Sequence, residues 1–396
     1  MIATFIGAVS LLTWIYLISA RGGFWRMRVE RKPSAQRAAP ARRIAIIVPA
    51  RNEADSVAQA VQSLLQQTYP GPTHIFLVDD HSSDGTAVTA RQAAHEAGGS
   101  DRLSVIEAQP LPRGWTGKLW AVSQGLQAAT CFDADYYLLT DADVAHEPDN
   151  LGSLVLRAEC GDFDLVSLMV KLRCESLAER MLIPAFVFFF FKLYPPAWVA
   201  RSDRRTAAAA GGCMLIRQVA LARIGGIAAI RDQLIDDCAL ARAVKSGGRI
   251  WLGPTASASS LRRCESWTAI GRMISRTAFT QLGHSTLLLV AVFAGMAVTY
   301  AAPAILLLFG SLLGWWAAAF GATAWLLQSI AYWPTLRSYG LSPVWAPLLP
   351  LAALFYLGAT VLSAVQYWRG RGGVWKGRVQ DPSSPSRLRK NSQIGV

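Results

Sequence analysis

Residues Ile44–Gln67 read IAIIVPARNEADSVAQAVQSLLQQ, a strand that runs into a helix. The β-branched run Ile44–Val48 ends at Pro49, and Asp55–Gln67 then sets Val57, Val61, Leu64 and Leu65 on one face at helical spacing. A short apolar strand followed by an amphipathic helix is the repeating unit of an α/β sheet. The pattern recurs downstream. Strands are expected at His74–Asp80, Leu103–Ala108, Tyr136–Asp143 and Asp164–Val170, and helices at Ala87–Ala97 and Ala121–Ala129. From Ile44 to about Gln281 the sequence therefore predicts an α/β domain with a mainly parallel sheet.

Outside this region the chain changes character. Of its 396 residues 52% are apolar and only 16% charged, below the roughly 25% charged residues of soluble domains. A wholly soluble protein is not expected. Ile2–Ala20 carries no charge and precedes the basic stretch Arg21–Lys32, which reads as a membrane span with its following side in the cytoplasm. A secretory signal would carry its positive charges before the apolar run. Pro33–Arg43 is expected to be extended and mobile. Ser285–Tyr332 has room for two spans and Val344–Trp368 for another, before a basic tail with a Ser/Pro/Arg-rich, disordered end. Three spans after the domain would leave that tail outside, against the positive-inside rule, so the span count stays open. The expected division is an N-terminal transmembrane helix at 1–20, a basic linker at 21–43, the α/β domain at 44–281, a C-terminal transmembrane region at 285–368 and the tail at 369–396.

The net charge of +13 sits beside the apolar segments, which favours a bilayer with anionic lipid and no nucleic acid as partner. Six scattered cysteines, with no C-x-x-C pair, read as reduced thiols.

Open α/β sheets bind ligands outside the carboxyl ends of their strands. Four acidic clusters fall at such ends: VPARNEA with Glu53, VDDHSSDGT with Asp79 and Asp80, LLTDADV with Asp141 and Asp143, and IDDCAL with Asp236 and Asp237. In an extended segment residues i and i+2 project the same way, so Asp141 and Asp143 are expected to address one hard divalent cation together. A lone D-x-D is equally at home in a solvated turn.

In combination and order, VPARNE, VDDHSSDGT, GKLWAVSQGL, TDAD, GGCMLIR and DD resemble the family 2 glycosyltransferases, inverting nucleotide-sugar enzymes with a Rossmann-like GT-A fold. GWTGKLWAVSQG (Gly114–Gly125) with the flanking spans is similar to the hopene-associated, hopanoid-biosynthesis enzymes of bacteria; carotenoid and ceramide glycosyltransferases are more distant. The resemblance implies that Glu53 and Asp80 hold the nucleoside, with Pro49 to Arg51 as pocket wall and Asp79 in the same nucleotide-sugar set. It places Lys118 near the diphosphate, Asp141 and Asp143 on a divalent metal (Mg²⁺ or Mn²⁺), Gly212 beside the donor, and Asp237 as catalytic base. Asp236 stands where the family often has Glu. Two departures stand out. The GK motif usually continues to an Asn where this chain has Ser123, and Gly271–Leu282 (GRMISRTAFTQL) lacks the Gln and Trp of the processive Q-x-x-R-W. Arg276 would keep a diphosphate contact, but chain extension loses support.

The implied function is transfer from a UDP-linked sugar to a membrane lipid acceptor, hopanoid or another polyisoprenoid, at the bacterial cytoplasmic (inner) membrane. Polyprenyl-phosphate transfer, a small polysaccharide synthase and a catalytically silent scaffold are the alternatives. Met181–Trp198, with four consecutive Phe, reads either as an interfacial segment that helps admit lipid or as a core helix.

Overall fold

The computed structural model describes residues 1–27, 29 and 39–370, and the backbone of 374–375 and 378–379. The expected mobile linker is thus described only over 39–43. The expected disordered tail lies almost wholly outside the described residues.

Eight strands form one sheet: β1 (Ile44–Ala50), β2 (Thr73–Asp79), β3 (Leu103–Glu107), β4 (Tyr136–Thr140), β5 (Val144–His146), β6 (Leu165–Lys171), β7 (Cys213–Arg217) and β8 (Ile250–Ser260). Their spatial order is β3-β2-β1-β4-β7-β6-β8-β5. The β3-β2-β1-β4 half is parallel, as the strand–helix alternation requires. β7 runs antiparallel to both β4 and β6, and β5 to β8, so the sheet is mixed, with its other six strands sharing one direction. The cause is topological. After β6 the chain leaves the sheet for the helix Leu177–Leu193 and comes back at the same edge through Gly211 and Gly212. A strand that starts at that edge must point the other way.

β1 sits at the centre with every residue buried. Ile44, Ile46 and Val48 pack with Val57, Val61 and Leu64 of the helix Ala54–Leu65, while Ala45 and Ile47 pack on the other face with Leu119 and Val122 of the helix Gly117–Ala128. This is the two-residue alternation of a strand covered on both sides. The Gly117–Ala128 helix comes so close that a Cβ on Gly125 would lie 2.7 Å from Ile47 Cγ2. That contact fixes the height of Lys118 above the sheet.

Among the described residues four helical segments are long and apolar enough to cross a membrane: Ile2–Ser19, Leu177–Val199, Thr286–Leu308 and Pro343–Trp368. A further apolar helix, Trp315–Ser338, packs on Ile2–Ser19. Small residues permit the approach: a Cβ on Gly7 would stand 3.0 Å from Phe320 Cβ, and Ala317, Gly321 and Ala324 are buried. The phenylalanine run is covered by other helices. Phe188 lies against Phe24 and Tyr332, and Phe189 against Tyr300 and Tyr356, so these two rings pack on other segments of the chain.

The Leu177–Leu193 helix is tied to the α/β domain at its start. Ser176 and Glu179 form a capping box, and the fully buried Glu179 carboxylate accepts the backbone N–H groups of Glu175 (2.9 Å), Ser176 (3.0 Å) and Cys264 (3.1 Å). Glu179→Ala leaves three half-buried donors without their acceptor. A loss of about 3 kcal/mol is expected, read as a lower denaturation midpoint of the detergent-purified chain, and Glu179→Gln should recover part of it. Equal stability of the Ala variant would remove this joint from the fold.

Candidate active site

The chemistry-bearing loops meet at the carboxyl edge of β1, β2 and β4, with the start of β7 and the amino end of the helix Asp236–Lys245. The loops after β1 and β2 are laced together. Asn52 N–H donates to Ser82 Oγ (2.9 Å), Ser83 N–H to Asn52 Oδ1 (2.9 Å), Glu53 N–H to Thr86 Oγ1 (2.9 Å) and Ala54 N–H to Asp84 Oδ2 (3.0 Å). Asn52 and His81 take positive φ (50° and 56°), which lets the two turns face each other. Asp79 accepts the Ser82 N–H at 3.0 Å and the Ser82 hydroxyl. Asp80 is buried, with Arg51 Nη1 donating to its carbonyl (2.5 Å) and standing 3.5 Å from its Oδ2. The Asp79 and Asp80 carboxylates thus stabilise the loop pair itself. Pro49 and Glu53 complete this wall, Glu53 as the residue preceding the Ala54–Leu65 helix.

The second half of the site centres on Lys118, in the first turn of its helix. Its Nζ is 2.9 Å from Asp141 Oδ1 and 3.4 Å from Asp236 Oδ2. Burial disfavours the ammonium, but Asp141, Asp236 and Asp237 outweigh it and hold Lys118 protonated, well above its usual range. Asp237 Oδ2 accepts the Gly211 N–H (3.0 Å) and its Oδ1 the Cys238 N–H (2.6 Å). Burial and then the charge of Asp236 push the Asp237 carboxyl above the ordinary carboxylate value, against the pull of these N–H groups and Lys118. Pro49, Lys118, Leu119, Asp141, Gly211 and Asp236 line one pocket.

Asp141 and Asp143 are not on an extended segment. β4 ends at Thr140, and Asp141–Asp143 forms a turn in which Val144 N–H donates to Asp141 O (3.3 Å). The turn splits the pair. Asp141 meets Lys118, whereas Asp143 lies 3.6 Å from Arg262 Nε, on the side of Glu53. Burial, then the charge of Asp141, raise the Asp143 carboxyl, with Arg262 opposing. Gly212 is turned into the sheet packing. A Cβ there would stand 2.9 Å from Val170 Cγ2, inside the sheet packing, while one on Gly211 would stand 3.4 Å from Asp237 Oδ2 and 3.5 Å from Lys118 Nζ. The glycine beside the acids is Gly211; Gly212 contributes its carbonyl, which accepts the Thr140 hydroxyl at 2.8 Å. Arg276 follows the helix Trp267–Ser275 with a buried Nε that has no partner among the described residues, and is close enough to Arg262 for their charges to oppose.

Sequence reading missed Arg262, which follows the Gly/Pro/Ser-rich β8, and a buried chain of polar groups under the D-x-D turn. There Asn150 Nδ2 lies 2.8 Å from His146 Nδ1, and His146 Nε2 lies 3.0 Å from Thr140 Oγ1. Since Thr140 donates to Gly212, the consistent assignment puts the histidine proton on Nε2. Burial lowers His146 to about 4, keeping it neutral.

Two carboxylates are a sufficient protein contribution for Mg²⁺ or Mn²⁺ when a diphosphate supplies further oxygens. Among the described residues no group of three His, Cys, Asp or Glu side chains could hold a metal ion without a substrate. The hard oxygen donors of Asp141 and Asp143 suit such an ion, and the Lys118 ammonium already stands on Asp141 as a cation.

This arrangement on a mixed sheet is a GT-A-like fold. The family model described as Glycosyl transferase family 2 matches residues 45–225. It is 32% identical over 149 residues to the Uncharacterized glycosyltransferase YaiP of Escherichia coli (strain K12), covering 37% of this chain and 33% of that protein. Identity is 28% over 145 residues, covering 36% of this chain and 41% of the relative, to an Undecaprenyl-phosphate 4-deoxy-4-formamido-L-arabinose transferase of Salmonella paratyphi B. The chain thus spans about a third to two fifths of the length of these curated relatives. Among solved structures, the mannosyltransferase PcManGT from Pyrobaculum calidifontis, in complex with GDP-Man and Mn²⁺, shares the fold. Its TM-score is 0.54 at 18% identity, over 92% of this chain and 98% of that one.

Proposed function

We propose that this chain transfers a sugar from a nucleotide-sugar donor, UDP-linked, to a membrane lipid, with inversion at the anomeric carbon. The observation that carries the reading is Asp237: a carboxylate anchored by two backbone N–H groups beside Lys118, Asp141 and Asp236 at the strand edge. Two fixed hydrogen bonds orient it, and a raised pKa makes it a stronger base than an ordinary aspartate. It accepts the proton of the acceptor hydroxyl as that oxygen bonds to the anomeric carbon. The bond to the diphosphate breaks, its electron pair leaving with the phosphate oxygen. One displacement inverts the centre and needs no enzyme nucleophile. Lys118 and Arg276 are the cations available to the departing diphosphate. A divalent cation on Asp141 and Asp143 supplies further stabilisation of that charge.

The acceptor is a lipid with a free hydroxyl, hopanoid or another polyisoprenoid, on the resemblance of Gly114–Gly125. The apolar helices that flank and enter the domain support membrane delivery. The basic run after Ile2–Ser19 supports a domain on the cytoplasmic side of a bacterial inner membrane. A second reading, transfer to a polyprenyl phosphate, is favoured by the Salmonella relative. The chemistry separates the two, because a phosphate oxygen brings its own negative charge and needs little help from a base.

Membranes containing the chain, given a panel of nucleotide sugars with lipid extract or with undecaprenyl phosphate, are expected to yield a neutral glycolipid by mass spectrometry. A sugar phosphate lipid instead would establish the second reading. A folded chain that binds no donor and makes no product would be a silent scaffold.

A further inference from the structure

We propose that Lys118 is a tethered counter-cation that occupies the divalent-cation position on Asp141 until a donor diphosphate draws it away, so that cation and donor enter together. The idea rests on the glycosyltransferase reading of this pocket. Lys118 Nζ is 2.9 Å from Asp141 Oδ1 and 3.4 Å from Asp236 Oδ2, and therefore bridges the acids after β4 to those of the helix Asp236–Lys245. Its own helix gives it no reason to be there, since a cation in the first turn opposes the positive amino end of the helix dipole. The acids hold it. The bare backbone of Gly211 leaves room for the ammonium, an added Cβ being 3.5 Å from Nζ.

An ammonium and a divalent ion cannot both sit on Asp141. At about 4 Å their like charges repel by several kcal/mol in a partly buried site. In the empty pocket the tethered group wins, because its local concentration is fixed by the fold. A diphosphate changes the balance by offering Lys118 a new anionic partner and by bringing further oxygens for the divalent ion. Lys118 then moves from carboxylate to phosphate, and Asp141 becomes available. Donor and cation affinities are thereby positively and reciprocally coupled. The arrangement also keeps Asp141, Asp236 and Asp237 from facing one another unscreened before substrate arrives.

The probe is Mn²⁺ alone, titrated into the detergent-purified full chain and read as the loss of the free-ion paramagnetic resonance signal. Lys118→Met should bind Mn²⁺ about tenfold or more tightly than the wild type, Lys118→Arg should stay as weak as the wild type, and adding Asp141→Asn to Lys118→Met should abolish the gain. Equal Mn²⁺ affinity of Lys118→Met and wild type overturns the proposal. Should the Met variant misfold, the wild type decides: amine labelling at Lys118, located by peptide mass spectrometry, should rise when saturating Mn²⁺ is added, and unchanged labelling counts against the exchange. Neither readout requires sugar transfer. A chain that transfers no sugar can still show the exchange, and an active enzyme that lacks it would overturn this proposal alone.

Discussion

Asp237→Asn is expected to reduce sugar transfer by about 10²–10⁴-fold while leaving the fold and nucleotide binding in place. The amide is the same size and keeps one acceptor oxygen for either Gly211 or Cys238, so the structural cost is one lost hydrogen bond, about 1 kcal/mol. What it cannot do is take a proton. Transfer rates from membranes, compared with nucleotide binding measured on the same preparation, separate these effects. Equal loss of both would make Asp237 a donor-site residue, and full activity of the Asn variant with undecaprenyl phosphate would point to an acceptor that needs no base.

The same residue sets a pH dependence. The base works ionised, so kcat/KM should fall as pH drops through its pKa, and burial plus Asp236 place that acid limb above the position of an ordinary aspartate. Asp236→Asn removes the like charge and should shift the limb to lower pH. Lys118→Met removes the favourable charge and should shift it up. A limb that ignores both substitutions belongs to another group.

How much of this was legible in the sequence depends on whether a signal was local. β1, β2 and β4 were readable because each is an apolar run followed by turn residues, and the helix after β1 because four apolar side chains fall on one face. β7 and β8 were not. IWLGPTASASS in β8 carries no alternation, and the direction of β7 follows from a detour through the helix Leu177–Leu193 that no window contains. Arg262 stayed hidden for the same reason. Asp141 and Asp143 were paired on the wrong geometry, since two residues apart means one face only while the strand continues, and this one stops at Thr140. Gly211 and Gly212 are interchangeable as letters. The neighbours Val170 on one side and Asp237 on the other tell them apart. Nor could spacing show that Lys118 meets Asp236, because that contact exists only after the sheet has closed.

Asp143→Asn should separate function from stability in the opposite sense. With donor and Mn²⁺ present, losing one of the two carboxylates that hold the cation is expected to lower transfer by about 10²–10³-fold. The protein itself should become slightly more stable at pH 7. Burial and the charge of Asp141 raise the folded-state pKa of Asp143 above its unfolded value, so between the two values the folded chain binds more protons than the unfolded one, and stability falls as pH rises through that window. At pH 7 the ionised carboxylate is therefore a cost, which the neutral amide removes. The loss of the Arg262 contact works against this, but at 3.6 Å and with the guanidinium 43% exposed it is worth about 0–1 kcal/mol. Melting curves should show the variant at or above the wild type without ligand. With donor and Mn²⁺ the order should reverse, because only the wild type gains the binding contribution. A variant that loses activity and melts lower in the absence of ligand would make Asp143 a structural residue of the turn, and the cation would have to be held elsewhere.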